Sequence, residues 1–138
     1  MQIEVRNPEK KYEIIVVGAG PAGVAAAISA GRQGRDVLLL EATTAAGGMA
    51  TMGLVSKWAP MTDKQKLIYK SLPLEIVDRY KKRANQPEAK WDWINIDAEI
   101  LKLVYDEMLA EAHVKVLYQA RVVDVLKNGE TIEHLIVA

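Results

Sequence analysis

Two short apolar runs near the start of the chain flank a segment rich in alanine. Residues 12–17 form a largely β-branched run, and residues 37–40 read Val-Leu-Leu-Leu. Runs of this length and composition are typical of strands buried inside a parallel sheet. The segment between them, residues 21–31, begins with Pro21, which suits the first turn of a helix. The pattern predicts strand, helix and strand, with parallel strands and a right-handed connection.

The clearest helical periodicity lies in residues 98–112. Asp97 is a suitable N-cap for this helix, and apolar residues recur at intervals of three and four: Ile100, Leu101, Val104, Tyr105, Met108, Leu109 and Ala112. A third apolar run, residues 114–118, comes next. We expect an α/β, Rossmann-like fold of three layers, with a parallel sheet in the order third, second, first strand. Helices 22–31 and 98–112 would cover one face of this sheet.

An antiparallel hairpin is predicted at the end of the sequence, toward the other face of the sheet. Residues 122–126 and 131–137 are apolar runs, and Asn128-Gly129 lies between them. Asn-Gly favours a tight turn between antiparallel strands.

The middle of the chain is less regular. Residues 42–72 predict a loop with some short structure, because they have glycines and no steady periodicity. Residues 73–83 predict a helix with one apolar and one basic face. We interpret residues 50–96 as a loop-and-helix insertion within one domain that spans residues 1–138.

Length and charge narrow the functional classes. The 138 residues suffice for one domain. Eighteen basic side chains balance eighteen acidic ones, so the chain has no electrostatic reason to bind nucleic acid or an anionic membrane. Neither partner is expected. The charge is uneven, since residues 57–90 are net basic and residues 91–138 net acidic, and two solvated surfaces explain this asymmetry best.

An uncharged run, residues 14–31, raises the alternatives of a membrane helix or a signal peptide. Gly-Ala-Gly-Pro in its middle and Glu13 beside its start oppose both, and we expect a cytoplasmic protein. Cysteine is absent, which excludes disulfides, thiolate zinc sites and iron–sulfur clusters. Redox chemistry would therefore need a cofactor. The acidic residues show no metal-ligand spacing, and no metal site is predicted.

A glycine motif comes directly after the first predicted strand and opens the first helix. Gly18-Ala19-Gly20-Pro21-Ala22-Gly23 matches G-x-G-x-x-G. In this pattern the first glycine permits the turn, the second lets the backbone approach a pyrophosphate, and the third lets helix and strand pack closely. Glu41 ends the second strand, where its carboxylate can accept hydrogen bonds from both hydroxyls of an adenosine ribose. The combination predicts dinucleotide binding and disfavours a 2′-phosphate, and hence NADP.

The segment after Glu41 bears on the choice between FAD and NAD. Residues 43–51 form a second loop that contains Gly47 and Gly48. A simple NAD domain would usually proceed promptly to another helix and strand, so the loop favours FAD and leaves NAD as the alternative. A turn without any ligand is the alternative interpretation of Gly47-Gly48 itself.

Several runs together resemble one known family. The chain is similar to the N-terminal part of FAD-dependent oxidoreductases of the glutathione-reductase-like fold, and among these to bacterial FAD-dependent oxidoreductases without an assigned substrate. The runs that carry the resemblance are Tyr12 to Gly23, Leu39-Leu40-Glu41, Gly47-Gly48-Met49-Ala50-Thr51, Gly53-Leu54-Val55, Glu107 to Leu117 and Arg121 to Val125. The disulfide-reductase branch of that fold needs a cysteine pair, which this chain lacks.

The resemblance implies a role for each matched position. The first glycine loop would hold the FAD pyrophosphate and Glu41 the adenosine ribose. Val122 would offer its backbone to the adenine, and an ordinary core residue is the alternative there. The second loop would pass near the phosphates and the flavin. The resulting set of candidate FAD-binding residues is Gly18, Gly20, Pro21, Ala22, Gly23, Glu41, Gly47, Gly48, Met49, Ala50 and Val122.

Members of the family generally continue beyond the hairpin. The resemblance therefore implies that the chain is an incomplete portion of a larger flavoprotein, with the edge of the first strand covered by the remainder, another chain or another copy. The expected activity is electron or hydride transfer with a small-molecule substrate that the sequence does not specify. The alternatives are the NAD-binding domain of a dehydrogenase and a non-catalytic or truncated dinucleotide-binding module.

Histidines and tryptophans are weaker candidates, and no catalytic residue is predicted. His113 lies where family members commonly have glycine, and we interpret it as a helix terminator rather than a base. His134 lies in the outer hairpin. Core packing is the favoured interpretation of Trp58, Trp91 and Trp93, with a flavin or substrate pocket as the alternative.

Overall fold

A computed structural model describes residues 11–86 and 91–138. The helices and strands are arranged along the chain as β1 (Ile14–Val17), α1 (Pro21–Gly31), β2 (Val37–Leu40), β3 (Lys57–Trp58), α2 (Leu72–Arg83), β4 (Ile94–Asn95), α3 (Ala98–Glu111), β5 (Lys115–Leu117), β6 (Val122–Asn128) and β7 (Thr131–Val137). A 3-10 turn, Gly48–Ala50, lies between β2 and β3. The mixed α/β class is confirmed.

The central sheet has three parallel strands in the order β1-β2-β5. Ile14 lies opposite Val37, and Leu39 lies opposite Val116. This is the sheet order predicted from the three apolar runs. Because the strands are parallel, their carboxyl ends meet at one edge of the sheet, where ligands of open α/β sheets bind.

Helices α1 and α3 cover one face of this sheet. Alternate strand residues point into the covered face, and these belong to one hydrophobic core with both helices: Ile14, Val16, Val37, Leu39 and Val116 from the strands, and Val24, Ile28, Leu101, Val104, Tyr105 and Met108 from the helices. The core fixes the N-terminus of α1 at the carboxyl end of β1.

The opposite face of the sheet is open over much of its area. The side chains of Ile15, Val17 and Leu117 are 39%, 58% and 49% exposed. Within the residues that the structure describes, β1 is also an edge strand of this sheet. Apolar edges and faces of this kind require protection from other chains.

The predicted insertion contains α2 and a small ribbon. Helix α2 begins at Leu72, one residue before the predicted start, and ends at Arg83 as predicted. Strands β3 and β4 pair antiparallel through Lys57–Asn95 and Trp58–Ile94, and the sequence pattern missed this ribbon. That residues 50–96 form a separate insertion stays a prediction.

The ends of α3 and the hairpin have the predicted turn chemistry. The Asp97 carboxylate accepts hydrogen bonds from the N–H groups of Glu99 and Ile100, which caps the helix. Past the other end, His113 adopts the left-handed conformation with φ 56° and terminates the helix. Strands β6 and β7 pair antiparallel through the predicted turn.

Candidate functional site

The first glycine loop connects β1 to α1, and each glycine has different surroundings. Gly18 has φ 93° and donates its N–H to Leu40 O at 2.7 Å, so the turn is tied to β2. A Cβ on Gly23 would lie 1.8 Å from Gly18 O, whereas a Cβ on Gly20 would meet nothing within 4 Å. Gly23 thus serves the packing of the fold, and Gly20 faces open space.

The N-terminus of α1 presents free donors beside that open space. Gly20 is the N-cap and has no side chain to accept hydrogen bonds, and Pro21 has no N–H. In the described part of the chain, the N–H groups of Ala22 and Gly23 have no acceptor. Such donors, together with the positive end of the helix dipole, are suited to phosphate oxygens.

Glu41 lies immediately after β2, against the same loop. Its Oε2 accepts a hydrogen bond from Ala19 N at 2.6 Å, and its Oε1 accepts one from Thr43 N at 2.8 Å. Partial burial raises the pKa of this carboxyl, but the hydrogen bonds from Ala19 and Thr43 outweigh burial, and the pKa is lowered overall. Glu41 is therefore an ionised acceptor placed at the end of β2, as a ribose-binding acid requires.

The second loop packs directly on the first. Gly47, with φ 110°, donates its N–H to Ala19 O at 2.7 Å. Gly48, with φ 56°, approaches the first loop so closely that a Cβ on it would lie 3.1 Å from Gly20 Cα. The turn at Gly47-Gly48 therefore borders the open space in front of Gly20.

The sequence did not identify the roles of two residues near this site, Thr51 in the second loop and Tyr118 beyond it. Thr51 is fully buried, and its hydroxyl donates to Ala46 O at 2.7 Å. Tyr118, just past β5, donates its hydroxyl to Asp106 Oδ1 at 2.7 Å. Burial and this hydrogen bond raise the pKa of Tyr118. Thr51 is the last residue of the run Gly47–Thr51, which carries the family resemblance, so the sequence did point to its position. No feature of the sequence pointed to Tyr118.

Met49 and Ala50 have opposite environments within the 3-10 turn. Ala50 lies in the hydrophobic core, while Met49 is 67% exposed. Met52, Leu54 and Val55 come next and are also exposed. The backbone beyond the second glycine loop therefore presents an apolar surface, which suits a planar apolar ring better than a phosphate.

Val122 is connected to the site through the backbone. Ala120, two residues before it, donates its N–H to Glu41 O at 2.9 Å. Val122 itself begins β6, is half-buried, and pairs with Val137. The start of the hairpin thus lies near the end of β2, although the role of Val122 toward an adenine stays a prediction.

Trp91 lies in the predicted insertion and borders a surface groove. Trp91 accepts a hydrogen bond at its carbonyl from Met61 N, and the Lys81 ammonium lies 4.4 Å from its ring centroid. The groove has a volume of about 490 Å³ and is lined by Thr62, Lys64, Gln65, Lys66, Leu67, Trp91 and Asp92. This geometry gives Trp91 a packing role through the cation–π contact.

The arrangement fits FAD. Open space at Gly20 and free N–H groups at α1 suit a pyrophosphate, an ionised carboxylate at Glu41 suits a ribose, and an exposed apolar surface lies beyond the second loop. These are the residues that would hold the cofactor.

Comparison with known proteins agrees with this chemistry. The model of one protein family, described as FAD dependent oxidoreductase, matches residues 13–138. The chain belongs to this family. Its cofactor is FAD, and the prediction made from the second loop is confirmed.

Curated relatives match shorter segments. The putative flavin-containing monoamine oxidase AofH of Mycobacterium tuberculosis is 44% identical over 52 residues, which cover 38% of this chain and 12% of that protein. The fumarate reductase (cytochrome) of Shewanella frigidimarina is 41% identical over 59 residues, which cover 43% of this chain and 10% of that protein. The FAD-dependent oxidoreductase chain therefore matches only a small part of the length of these relatives.

Solved structures share the fold. THI4 of Thermovibrio ammonificans has a TM-score of 0.61 at 19% identity, and the match covers 92% of this chain and 47% of that chain. Thioredoxin reductase of Lactococcus lactis has a TM-score of 0.56 at 22% identity, with 92% and 31% covered. The Rossmann-like assignment is confirmed. Among the described helices of this family member, none is long and apolar enough to span a bilayer.

Proposed function

We propose that this chain holds the ADP half of FAD in a flavin-dependent oxidoreductase. The observation that carries the proposal is the open space at Gly20, bordered by the free N–H groups of α1 and by Gly48. The pyrophosphate would occupy that space, and Glu41 would accept hydrogen bonds from the ribose. Val122, near the end of β2 through Ala120, would offer its backbone to the adenine.

When bound, FAD supplies the electron or hydride transfer, and the protein supplies orientation and electrostatics. The two glycine loops position the phosphates, and the dipole of α1 stabilises their charge. Met49 and the apolar residues after it would lie on the flavin side of the cofactor and limit its contact with water. The substrate is a small molecule whose class these residues do not define.

The open face and edge of the sheet support a proposal about partners. We propose that β1 and the face formed by Ile15, Val17 and Leu117 contact further polypeptide of the same flavoprotein. The structural neighbours support this, because this chain matches less than half of THI4 and less than a third of thioredoxin reductase. A second copy of the chain is the alternative occupant.

We further propose that the protein acts in the cytoplasm. The absence of cysteine is compatible with a reducing compartment and with redox chemistry that depends on the cofactor alone. Fractionation of the source cells, followed by detection of the protein with an antibody, tests this location.

Replacement of the ribose-binding acid tests the cofactor assignment. We expect Glu41→Arg to weaken FAD binding by about 10- to 100-fold, because loss of a hydrogen-bonded charged partner costs about 1.5 to 3 kcal/mol. FAD titration monitored by flavin fluorescence measures the affinity. Glu133→Arg, the same charge change on the exposed hairpin, is the control and should leave the affinity unchanged. Equal affinities for wild type and Glu41→Arg would contradict the assignment.

A further inference from the structure

The peptide groups of Ala19 are held on both sides. Ala19 N donates to Glu41 Oε2 at 2.6 Å, and Ala19 O accepts from Gly47 N at 2.7 Å. The residue is fully buried. Its backbone therefore cannot turn toward a ligand, and its orientation is set by β2 on one side and by the second glycine loop on the other.

The Glu41 carboxylate joins the two loops and still has capacity for a ligand. One oxygen accepts from Ala19 and the other from Thr43, which begins the second loop. Each carboxylate oxygen has two lone pairs, so ribose hydroxyls can bind this carboxylate while the N–H groups of Ala19 and Thr43 stay in place.

We propose that Glu41 is a positioning residue for the phosphate-binding loop, in addition to its contact with ribose. With FAD absent, its two backbone hydrogen bonds hold Ala19 and Thr43 in the geometry that places Gly20, Gly48 and the N-terminus of α1 around the phosphate space. FAD then binds a preformed cradle and loses less free energy to ordering. The ribose contact rests on the proposed function, whereas the positioning of the loop rests on the two hydrogen bonds.

Inorganic pyrophosphate separates the two roles, because it has no ribose. If Glu41 acted only on ribose, its negative charge would merely repel pyrophosphate, and neutralisation would leave binding unchanged or strengthen it. If Glu41 positions the loop, neutralisation weakens pyrophosphate binding in spite of the lost repulsion. The two models predict opposite signs.

The test compares Glu41→Gln with wild type in protein freed of flavin. Glutamine has nearly the same shape, but Ala19 N and Thr43 N bind different oxygens of Glu41. One of those oxygens becomes an NH2 group in glutamine, so one of the two donors loses its acceptor. We expect amide hydrogen exchange at one of these two residues to become roughly tenfold faster, and pyrophosphate affinity to fall. Unchanged exchange at both amides, or pyrophosphate binding that is equal or tighter, would overturn the proposal.

Glu13→Gln is the matched control. Glu13 lies before β1, and its Oε2 accepts a single backbone hydrogen bond, from Asp36 N at 2.8 Å. Glutamine can keep this hydrogen bond. The Glu13→Gln substitution should therefore leave the hydrogen exchange of the Ala19 and Thr43 amides unchanged.

Glu41→Asp is a second variant, which retains the negative charge but has a side chain shorter by one methylene group. It should weaken pyrophosphate binding, and unchanged binding would count against positioning.

The two proposals fail in different ways. If Glu41→Gln speeds amide exchange as expected and weakens FAD binding by the same factor as pyrophosphate binding, the ribose role fails and the positioning role stands. If FAD affinity falls while amide exchange and pyrophosphate affinity stay unchanged, the reverse holds.

Discussion

Gly20 and Gly23 have opposite surroundings, one open and one tightly packed. Replacing each of them by alanine therefore separates effects on ligand binding from effects on folding. Gly20→Ala should leave the thermal stability of the flavin-free protein nearly unchanged, because its φ is −66° and the added Cβ meets nothing within 4 Å. It should lower FAD affinity on the order of tenfold, since the methyl enters the phosphate space. Thermal unfolding and FAD titration measure the two effects.

Gly23→Ala provides the comparison for Gly20→Ala. Its Cβ would lie 1.8 Å from Gly18 O, so helix and strand must separate, and we expect a loss of stability of about 1 to 3 kcal/mol. A Gly20→Ala protein with wild-type FAD affinity would show that the phosphate does not occupy this space.

Among single residues, the sequence predicted those candidate site residues whose role depends on their separation along the chain. The glycine motif and Glu41 could be located because their separation along the chain reflects one β-α-β unit. Thr51 lies in a run that the sequence had singled out, but its hydrogen bond to Ala46 O depends on the local turn. Tyr118 could not be identified, because its role depends on the side chain of α3 that the fold brings to it. The contact between Gly48 and Gly20 was undetectable for the same reason.

Among the elements, α2 is tied to the Rossmann-like core by ion pairs. Glu75 accepts hydrogen bonds from both terminal nitrogens of Arg32, the residue after α1, at 2.7 Å, and it also pairs with Arg79. Arg79 in turn makes a bidentate contact with Glu111 of α3. A bidentate network of this kind has more directional hydrogen bonding than an isolated surface pair.

Removal of the Glu75 charge should lower stability in a pH-dependent way. The hydrogen bond from Arg32, with the added effect of Arg79, lowers the pKa of Glu75 below its ordinary value of 4.5. A lowered pKa in the folded state means that the stabilisation is present above pH 4.5 and is lost as the pH falls further. Glu75→Gln should therefore be less stable than wild type at pH 7, by about 0.5 to 1 kcal/mol, and the difference should shrink in acid.

Urea unfolding at pH 7 and below pH 4.5 measures this difference. Glu99→Gln is the control, because Glu99 is 78% exposed and, among the residues that the structure describes, its ion pair is with Lys102 on its own helix. A stability difference for Glu75→Gln that stays constant with pH would argue against the ion-pair mechanism.

Element prediction succeeded where periodicity was long or turn chemistry was specific. Helix α3 has four turns of apolar repeats and a side-chain cap, and the hairpin has its Asn-Gly turn. The β3–β4 ribbon has only two residues in each strand. Two residues are too few to show an alternation of apolar and polar positions. Its pairing arises from tertiary contacts between segments almost forty residues apart.

For the whole molecule, the sheet order could be predicted from three apolar runs and the rules of parallel connections. The pattern did not show how much of the second face would remain exposed. Val17 and Leu117 both lie beside Leu40, on the two sides of β2, and Leu40 itself is buried while its neighbours are not. The row is apolar across three strands, as a surface that contacts another polypeptide would be.

The 138-residue chain by itself should therefore self-associate through this face and the β1 edge. Light scattering should show a mass that rises with protein concentration, because an exposed apolar face and a strand edge with no partner among the described residues both favour contact between copies. The double substitution Val17→Thr and Leu117→Thr should shift association to higher concentration. Threonine suits strands, and both side chains are about half exposed, so the fold should tolerate the change.

The control for the double substitution is Ile68→Thr, which removes a side chain that is 55% exposed in the predicted insertion. If association depended on exposed apolar area in general, this substitution would reduce it as well. If it depends on the sheet face, only the double substitution acts. A chain that stays monomeric at all concentrations would mean that the open face needs no cover, and the proposed contact with further polypeptide of the flavoprotein would lose its physical basis.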